Sequence, residues 1–417
     1  MVKPGYKQTE IGVIPEDWDI KSLQDIVVSP LSYGVNAPAV PYDSNLYRYI
    51  RITDITEDGH YSKEDEVSVN ILDGEKYCLC KGDILLARTG ASTGKTYLYR
   101  TQDGKLVYAG FLIRASVDVD NYNPFYVFAQ FHTKRYQDWV STMSIRSGQP
   151  GINGKEYSSY LLPIPKIGEQ KQIASALSDI DALITNLEKL IAKKKAIKQG
   201  AMQELLTGNK RLSGFIDPWA KHMVKDLGVF YSGLSGKGKS DFGCGTAHYI
   251  TFLNVLTNTK ININALERVR VSEGESQNTV KKGDLFFNTS SETPEEVGMC
   301  AALLDDVENT YLNSFCFGLR ITNPEMYPLF LSYYFNSQEG RQIMKVLAQG
   351  ATRYNLSKTN FSETIITVPD KEEQIAIAHL LLDMDVEIDT LFAKLEKTRN
   401  MKKGMMSELL TGRIRLV

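Results

Sequence analysis

The chain states its longest element twice. Residues 164–212 align with 368–416 without a gap, each position matched to the one 204 residues on. Pro165 meets Pro369, Glu169-Gln170 meets Glu373-Gln374, and Ile173-Ala174 meets Ile377-Ala378. Glu204-Leu205-Leu206-Thr207-Gly208 meets Glu408-Leu409-Leu410-Thr411-Gly412. A repeat of this length constrains the fold before any other feature, because the same sequence builds the same unit twice.

Each copy reads as one long helix with a coiled-coil seam. Apolar residues fall at Ile173, Leu177, Ile180, Ile184, Leu187 and Ile191 in the first copy. In the second they fall at Ile377, Leu381, Met384, Ile388, Leu391 and Leu395. Both series step 4, 3, 4, 3, 4, the a/d spacing of knobs-into-holes packing. Pro165 and Pro369 end the strand before each helix, and Gly208 and Gly412 stand at the expected helix stops. The partner expected for each stripe is the other copy; the competing reading is two amphipathic helices on separate cores. Gly200 and Gly404 sit at matched positions inside the helices, where glycine costs about 1 kcal/mol against alanine. Either another helix or chain approaches closely there, or the defect is tolerated.

The repeat extends beyond the helices. Trp18, then Leu23-x-Asp25-Ile26, is echoed by Trp219, then Val224-x-Asp226-Leu227. Lys81-Gly82-Asp83-Ile84-Leu85-Leu86 is echoed by Lys282-Gly283-Asp284-Leu285-Phe286-Phe287. β-Branched and aromatic runs bounded by glycine and aspartate predict strands at 47–52, 84–88, 106–114, 249–255, 284–288 and 315–321. Helical spacing predicts helices over 124–142 and 328–347. The chain therefore divides into mixed domains at 1–163 and 213–367, each followed by a long helix, at 164–212 and 368–417. The fold class is α+β. The two domains differ most at 67–77 and 257–276, as two readers of different sequences would.

Composition narrows the function classes. With 42% hydrophobic and 24% charged residues, the chain is ordinary for a soluble globular protein. No apolar run reaches the roughly 20 residues of a membrane span, and the N-terminus carries no hydrophobic signal region, so a cytoplasmic protein is expected. Five cysteines without a C-x-x-C pair and five scattered histidines point to reduced thiols and no metal site. The net charge of −2 means that any grip on DNA is local or shared with a partner.

Gly233-Leu234-Ser235-Gly236-Lys237-Gly238-Lys239-Ser240 matches the phosphate-binding pattern G-x-x-x-x-G-K-S. That loop works only when a helix follows, and Asp241-Phe242-Gly243-Cys244-Gly245 offers no clean helix start. Asn123-Pro124-Phe125-Tyr126 is similar to an adenine-methylase tetrapeptide but lacks the second proline. No catalytic set has support, and no cofactor loop follows an early strand. The sequence argues against catalysis in this chain.

Two mixed domains alternating with two near-identical helices resemble the specificity subunit of Type I restriction-modification systems. The likeness covers essentially the whole chain. Its local phrases are Ile14-Pro15-x-x-Trp18, Gly82-Asp83-Ile84-Leu85, Ala87-Arg88-Thr89-Gly90-Ala91, Pro163-x-Pro165 with Glu169-Gln170, and Glu204-Leu205-Leu206-Thr207-Gly208. The resemblance implies a subunit without chemistry of its own. Two target-recognition domains, in a pseudo-two-fold arrangement, would each read one half of a split, asymmetric DNA site. Two antiparallel helices would hold the domains apart, set the gap and dock two methyltransferase subunits carrying S-adenosylmethionine. Motor-nuclease subunits using ATP and magnesium would complete the complex. An adaptor with two protein-binding domains is the alternative.

Polar, glycine-flanked loops supply the candidate DNA contacts, since Arg and Lys suit guanine and phosphate while Asn and Gln suit adenine. In the first domain these are Arg88, Thr89, Ser92, Lys95, Arg146, Ser147 and Gln149. In the second they are Lys237, Lys239, Asn288, Ser290, Arg353, Asn355 and Lys358.

Overall fold

The computed structural model describes residues 3–144, 151–350 and 352–416. The chain forms two compact units, Met1–Glu188 with Lys394–Val417, and Lys189–Ala393. The boundary between them falls inside both long helices, Ile167–Leu205 and Lys371–Leu409. Each unit thus contains one mixed domain and pieces of both helices.

In the first unit a central strand, Asp83–Ala87, is buried at every position. Its alternate side chains enter different cores. Ile84 and Leu86 join the cluster built on Trp18, Tyr126 and Tyr157, while Leu85 and Ala87 join one built on Ile50, Tyr97 and Tyr108. Period-two alternation with both faces covered explains why this strand reads as a continuous apolar run. It lies between Leu112–Ser116 and Thr96–Leu98, both antiparallel. A second sheet pairs Leu106–Tyr108 in parallel with Tyr47–Ile50.

The second unit repeats the plan. Asp284–Asn288 lies between Cys316–Ile321 and Cys300–Ala302. Leu285 and Phe287 face one core and Phe286 the other. Thr310–Leu312 pairs in parallel with Phe242–Ile250. In both units a two-stranded ribbon precedes the long helix: Leu161–Ile164 on Asp19–Ser22, and Ile365–Val368 on Ala220–Met223.

Several predicted elements are shorter than their pattern. The run 249–255 ends as a strand at Ile250, because the Thr251 hydroxyl accepts from Asn254 N and starts the helix Phe252–Thr257. The run 47–52 ends at Ile50, and a 3-10 turn begins at Ile52. The run 106–114 becomes two strands around a turn at 109–111. Both predicted helices break in two. Thr133 caps Lys134–Met143 and Ser337 caps Gln338–Leu347, and each side-chain oxygen accepts a backbone N–H of the new first turn.

The seam residues divide between two tasks. Ile173 and Leu177 belong to the first unit's domain core, and Ile377 and Leu381 to the second's. Ile180, Leu187, Ile191, Ile388 and Leu395 are also buried, whereas Ile184, Met384 and Leu391 are half-buried. Within the first unit Lys402 pairs with Asp181 at 2.5 Å and Arg399 with Glu188 at 2.8 Å. Within the second Lys194 pairs with Glu387 at 2.6 Å, and Lys198 pairs with Asp385. In each set the residue numbers run in opposite directions, so the two helix segments of each unit are antiparallel.

Gly208 and Gly412 stop the helices at φ +73° and +70°, where a side chain would be strained. At Gly200 and Gly404 a Cβ meets nothing within 4 Å among the described residues, so no other helix of this chain approaches closely at either. Among the described residues no helix is long and apolar enough to cross a membrane.

Candidate nucleic-acid interface

The repeated Glu-Gln pair fastens each long helix to its domain. Glu169 is buried, takes the indole N–H of Trp18 at 3.0 Å, and accepts two hydrogen bonds from Arg415 at 2.6 and 2.8 Å. Arg415 also grips Asp17 at 2.8 and 2.9 Å and holds that carboxyl below its usual pKa. Glu373 does the same work in the second unit, with Arg211 at 2.6 Å twice and Trp219 at 3.3 Å. Gln170 Nε2 donates to the Pro165 carbonyl and its Oε1 accepts Asn123 N. Gln374 donates to Pro369 and accepts Tyr327 N. A bidentate arginine on a buried carboxylate is strong and directional, so it fixes the helix start against the domain.

On that frame the central strand ends in a cluster of loops. After Ala87, Arg88 N donates to the Phe111 carbonyl at 3.1 Å, and the Arg88 carbonyl accepts Ile152 N at 2.9 Å. Thr89 bridges Gly151. Lys95 and Ser92 lie on the adjoining turn, with Lys95 N donating to Ser92 O and Ala87 N to Lys95 O. The Arg88 guanidinium lies 4.9 Å from the Tyr33 ring. In the second unit Thr289 N donates to Phe315 O at 2.9 Å, and Thr289 O accepts Leu356 N at 2.8 Å. Ser290 pairs with Asn355, and the Arg353 guanidinium lies 5.8 Å from the Phe315 ring. Each unit thus brings together a strand end, a phenylalanine turn and a returning segment.

The structure sorts the candidates. Arg88 and Thr89 converge in the first unit with Ser92 and Lys95 beside them, although Lys95 is ion-paired to Glu57 at 2.6 Å. Arg353 and Asn355 are exposed together in the second unit. Arg146, Ser147 and Gln149 lie outside the described residues. Asn288 must be corrected. It is wholly buried, its amide donates to the carbonyls of Ser290 and Glu296, and its oxygen accepts Met299 N. Such an amide holds its own loop and has no N–H left for a base. Ser290 is 4% exposed and is likewise turned inward. Lys237 is committed to Glu275 at 2.6 Å with its side chain 6% exposed. Lys239 and Lys358 are exposed, the latter as the first residue of the helix Lys358–Ser362.

Gly233 explains the misleading phosphate-loop pattern. A Cβ there would lie 2.0 Å from the Asn313 carbonyl oxygen, so the glycine permits a close backbone crossing. Gly34 repeats the crossing in the first unit against Ala109 O, at 2.2 Å. The strand Phe242–Ile250 follows the pattern, with only a 3-10 turn between, so no helix N-terminus is present to cradle phosphate. Among the described residues no group of three His, Cys, Asp or Glu side chains could hold a metal ion.

Sequence reasoning missed Phe111 and Phe315, which are exposed, and Tyr33 beneath Arg88. The available signal was the match of Phe111-Leu112 to Phe315-Cys316 at the same 204-residue offset.

Comparison with known proteins agrees with this architecture. A family described as the Type I restriction modification DNA specificity domain matches residues 15–199 and 245–398. A putative Type I restriction enzyme specificity subunit, MjaX, from Methanocaldococcus jannaschii is 25% identical and covers 99% of this chain and 97% of its own. The MjaVIII specificity subunit of the same organism is 23% identical over 97% of this chain and 94% of its own. The crystal structure of a Type I restriction-modification S subunit from M. genitalium shares the fold, with a TM-score of 0.58 at 14% identity over 94% of this chain and 96% of that one. Two family matches, one on each mixed domain, together with relatives aligned from end to end, show that the chain belongs to the Type I restriction-modification DNA specificity subunit family.

Proposed function

We propose that each unit of this specificity subunit reads one half of a split, asymmetric site in double-stranded DNA. One observation carries the reading: two units share the Trp-Glu-Arg frame yet carry Ala87-Arg88 in one and Asn288-Thr289 in the other at the same strand end. A shared frame with different tips suits two readers of different half-sites, since base contacts specify and the rest positions. Arg88 and Thr89 serve the first half-site, and Arg353 and Asn355 the second.

In this proposal the two long helices form an antiparallel coiled coil whose length sets the gap. The pair docks two methyltransferase subunits, which carry S-adenosylmethionine and act on a flipped adenine. Motor-nuclease subunits supply ATP- and magnesium-dependent cleavage, and the whole works on DNA in the cytoplasm. This chain itself contributes recognition and no bond chemistry.

Methylation mapping tests the proposal. The chain is expressed with its neighbouring methyltransferase in a host lacking adenine methylation, and N6-methyladenine is read across the genome. One split asymmetric motif that disappears when this chain is omitted is the expected result. Methylation that is the same with and without the chain, in a complex shown to assemble, would favour the protein-binding adaptor instead.

A further inference from the structure

Of the 16 phenylalanines in the chain, two stand more than half exposed: Phe111 at 59% and Phe315 at 55%. One exposed aromatic ring is ordinary on a protein surface. Two at the same place in duplicated units are not. Phe111 immediately precedes the strand whose Leu112 pairs with Ala87, and Phe315 the strand whose Cys316 pairs with Asn288. The backbone at both is tied down. The Phe111 carbonyl accepts Arg88 N, and the Phe315 carbonyl accepts both the N–H and, at 2.8 Å, the hydroxyl of Thr289. A ring held in water forfeits its burial, yet the turn that presents it is held rigidly in both units.

The neighbours point to the occupant. Arg353 lies over the Phe315 ring, and Asn355 is exposed two residues further on. Arg88, whose N–H holds the Phe111 turn, stacks on Tyr33, itself 43% exposed. Guanidinium groups beside exposed rings match phosphate and base together, whereas an apolar protein patch would leave those cations without a partner. The neighbouring reader residues differ between the units, but the phenylalanine is the same. A ring against a base step is tolerant of sequence, so two units reading different bases can share it.

We infer that Phe111 and Phe315 are a matched pair of wedges, each packing against or into a base step of duplex DNA and positioning its unit on its own half-site. The inference rests on the reading of the chain as a reader of split DNA sites. Both are positioning residues, and the base-reading contacts come from the polar groups around them.

The test uses the full chain assembled with its methyltransferase partner and a duplex carrying the two mapped half-sites. Separate duplexes carry 2-aminopurine in one half-site or the other. Phe111→Ala and Phe315→Ala are each expected to weaken binding roughly ten-fold or more, the scale of one lost aromatic–base contact. Each is also expected to abolish the 2-aminopurine response in one half-site only. Phe111→Trp and Phe315→Trp restore both readouts, and melting temperature is unchanged because neither ring is in a core. If the wild-type complex is site-selective and both alanine variants bind within about two-fold of it, the wedge is overturned while the functional reading stands. If the wild-type complex shows no site selectivity, both fall together. Loss of methyltransferase assembly with DNA binding intact would make the rings a protein contact and overturn the inference.

Discussion

The two units solve one mechanical problem with the same three residue types but not to the same depth. Trp18 is wholly buried and its indole reaches Glu169 at 3.0 Å, while Arg415 spans both Glu169 and Asp17. Trp219 is half-buried and reaches Glu373 at 3.3 Å, and among the described residues Glu373 is the one carboxylate that Arg211 hydrogen-bonds. Away from the frame the units part company. Ala87 is a small apolar end to its strand, whereas Asn288 in its place laces three backbone groups of its own loop. The comparison separates two pressures on a duplicated sequence. Residues that fasten a helix to a domain are repeated because the geometry they meet is repeated. Residues at the strand ends meet different surroundings and diverge.

The sharpest way to break this comparison is at the tryptophans. Removing a fully buried Trp side chain costs about 3–5 kcal/mol, through lost burial and the cavity left behind. Trp18→Ala is expected to show the full cost as faster amide exchange in Asp19–Ser22 and Leu161–Ile164. Trp219→Ala is expected to show a smaller one in Ala220–Met223 and Ile365–Val368. Equal losses would mean that the two frames are equivalent in depth after all.

A middle-sized effect separates holding from reading. Asn288→Ala strands buried backbone groups and is expected to destabilise the second unit by about 1–3 kcal/mol without changing the methylated motif. Arg88→Ala is expected to do the reverse, leaving stability within about 0.5 kcal/mol while relaxing one half-site. Denaturant unfolding and methylation mapping on the same two variants read both. A changed motif in Asn288→Ala would return that residue to the recognition set.

The smallest effect concerns a loop found in the second unit. Lys237 first, then the Gln277 amide and the Ser272 N–H, hold the Glu275 carboxyl at about 2, below its ordinary value of 4.5. A carboxyl lowered on folding contributes fully above its ordinary pKa and loses that contribution as the pH falls toward the folded value. The Lys237–Glu275 tie is therefore expected to persist at neutral pH and to fade between about 4.5 and 2. Lys237→Ala should raise the Glu275 titration by NMR toward the ordinary carboxylate value without reaching it, because the Gln277 amide and the Ser272 N–H still donate to that carboxylate. An unchanged titration would free Lys237 to contact DNA, as its place in a glycine-rich loop first implied.

Much of the plan was legible in the sequence because it is written in local periods. The strand pattern of Asp83–Ala87 and its twin Asp284–Asn288 follows from unbroken apolar runs. The helix stops at Gly208 and Gly412 follow from a preference for glycine at left-handed backbone. Element ends were less legible. Thr133, Ser337 and Thr251 each start a helix through one side-chain hydrogen bond, and periodicity carries no mark of that. The candidate site was legible only in part. Loop composition offered Arg88, Arg353 and Asn355, which the fold leaves at the surface beside the strand ends, but it also offered Asn288, which is buried, and passed over the exposed Phe111 and Phe315. Asn288 turns inward through Ser290, Glu296 and Met299 of its own irregular loop, and Phe315 stands on a turn held by Thr289; neither arrangement leaves a mark in a helix or strand period.

The sequence by itself determined the duplication, the two long helices with their apolar seam, the strands of each mixed domain and the family likeness. Only the tertiary structure decided which pieces share a core. Leu409 and Leu410 are buried with Trp18, while Leu205 and Leu206 are buried with the core of the second unit. Glu169 therefore meets Arg415 and Glu373 meets Arg211, instead of each finding the arginine of its own repeat. Helical and strand periods record only neighbours a few residues apart, so a partner 246 or 162 residues away is chosen by packing and charge in the folded chain.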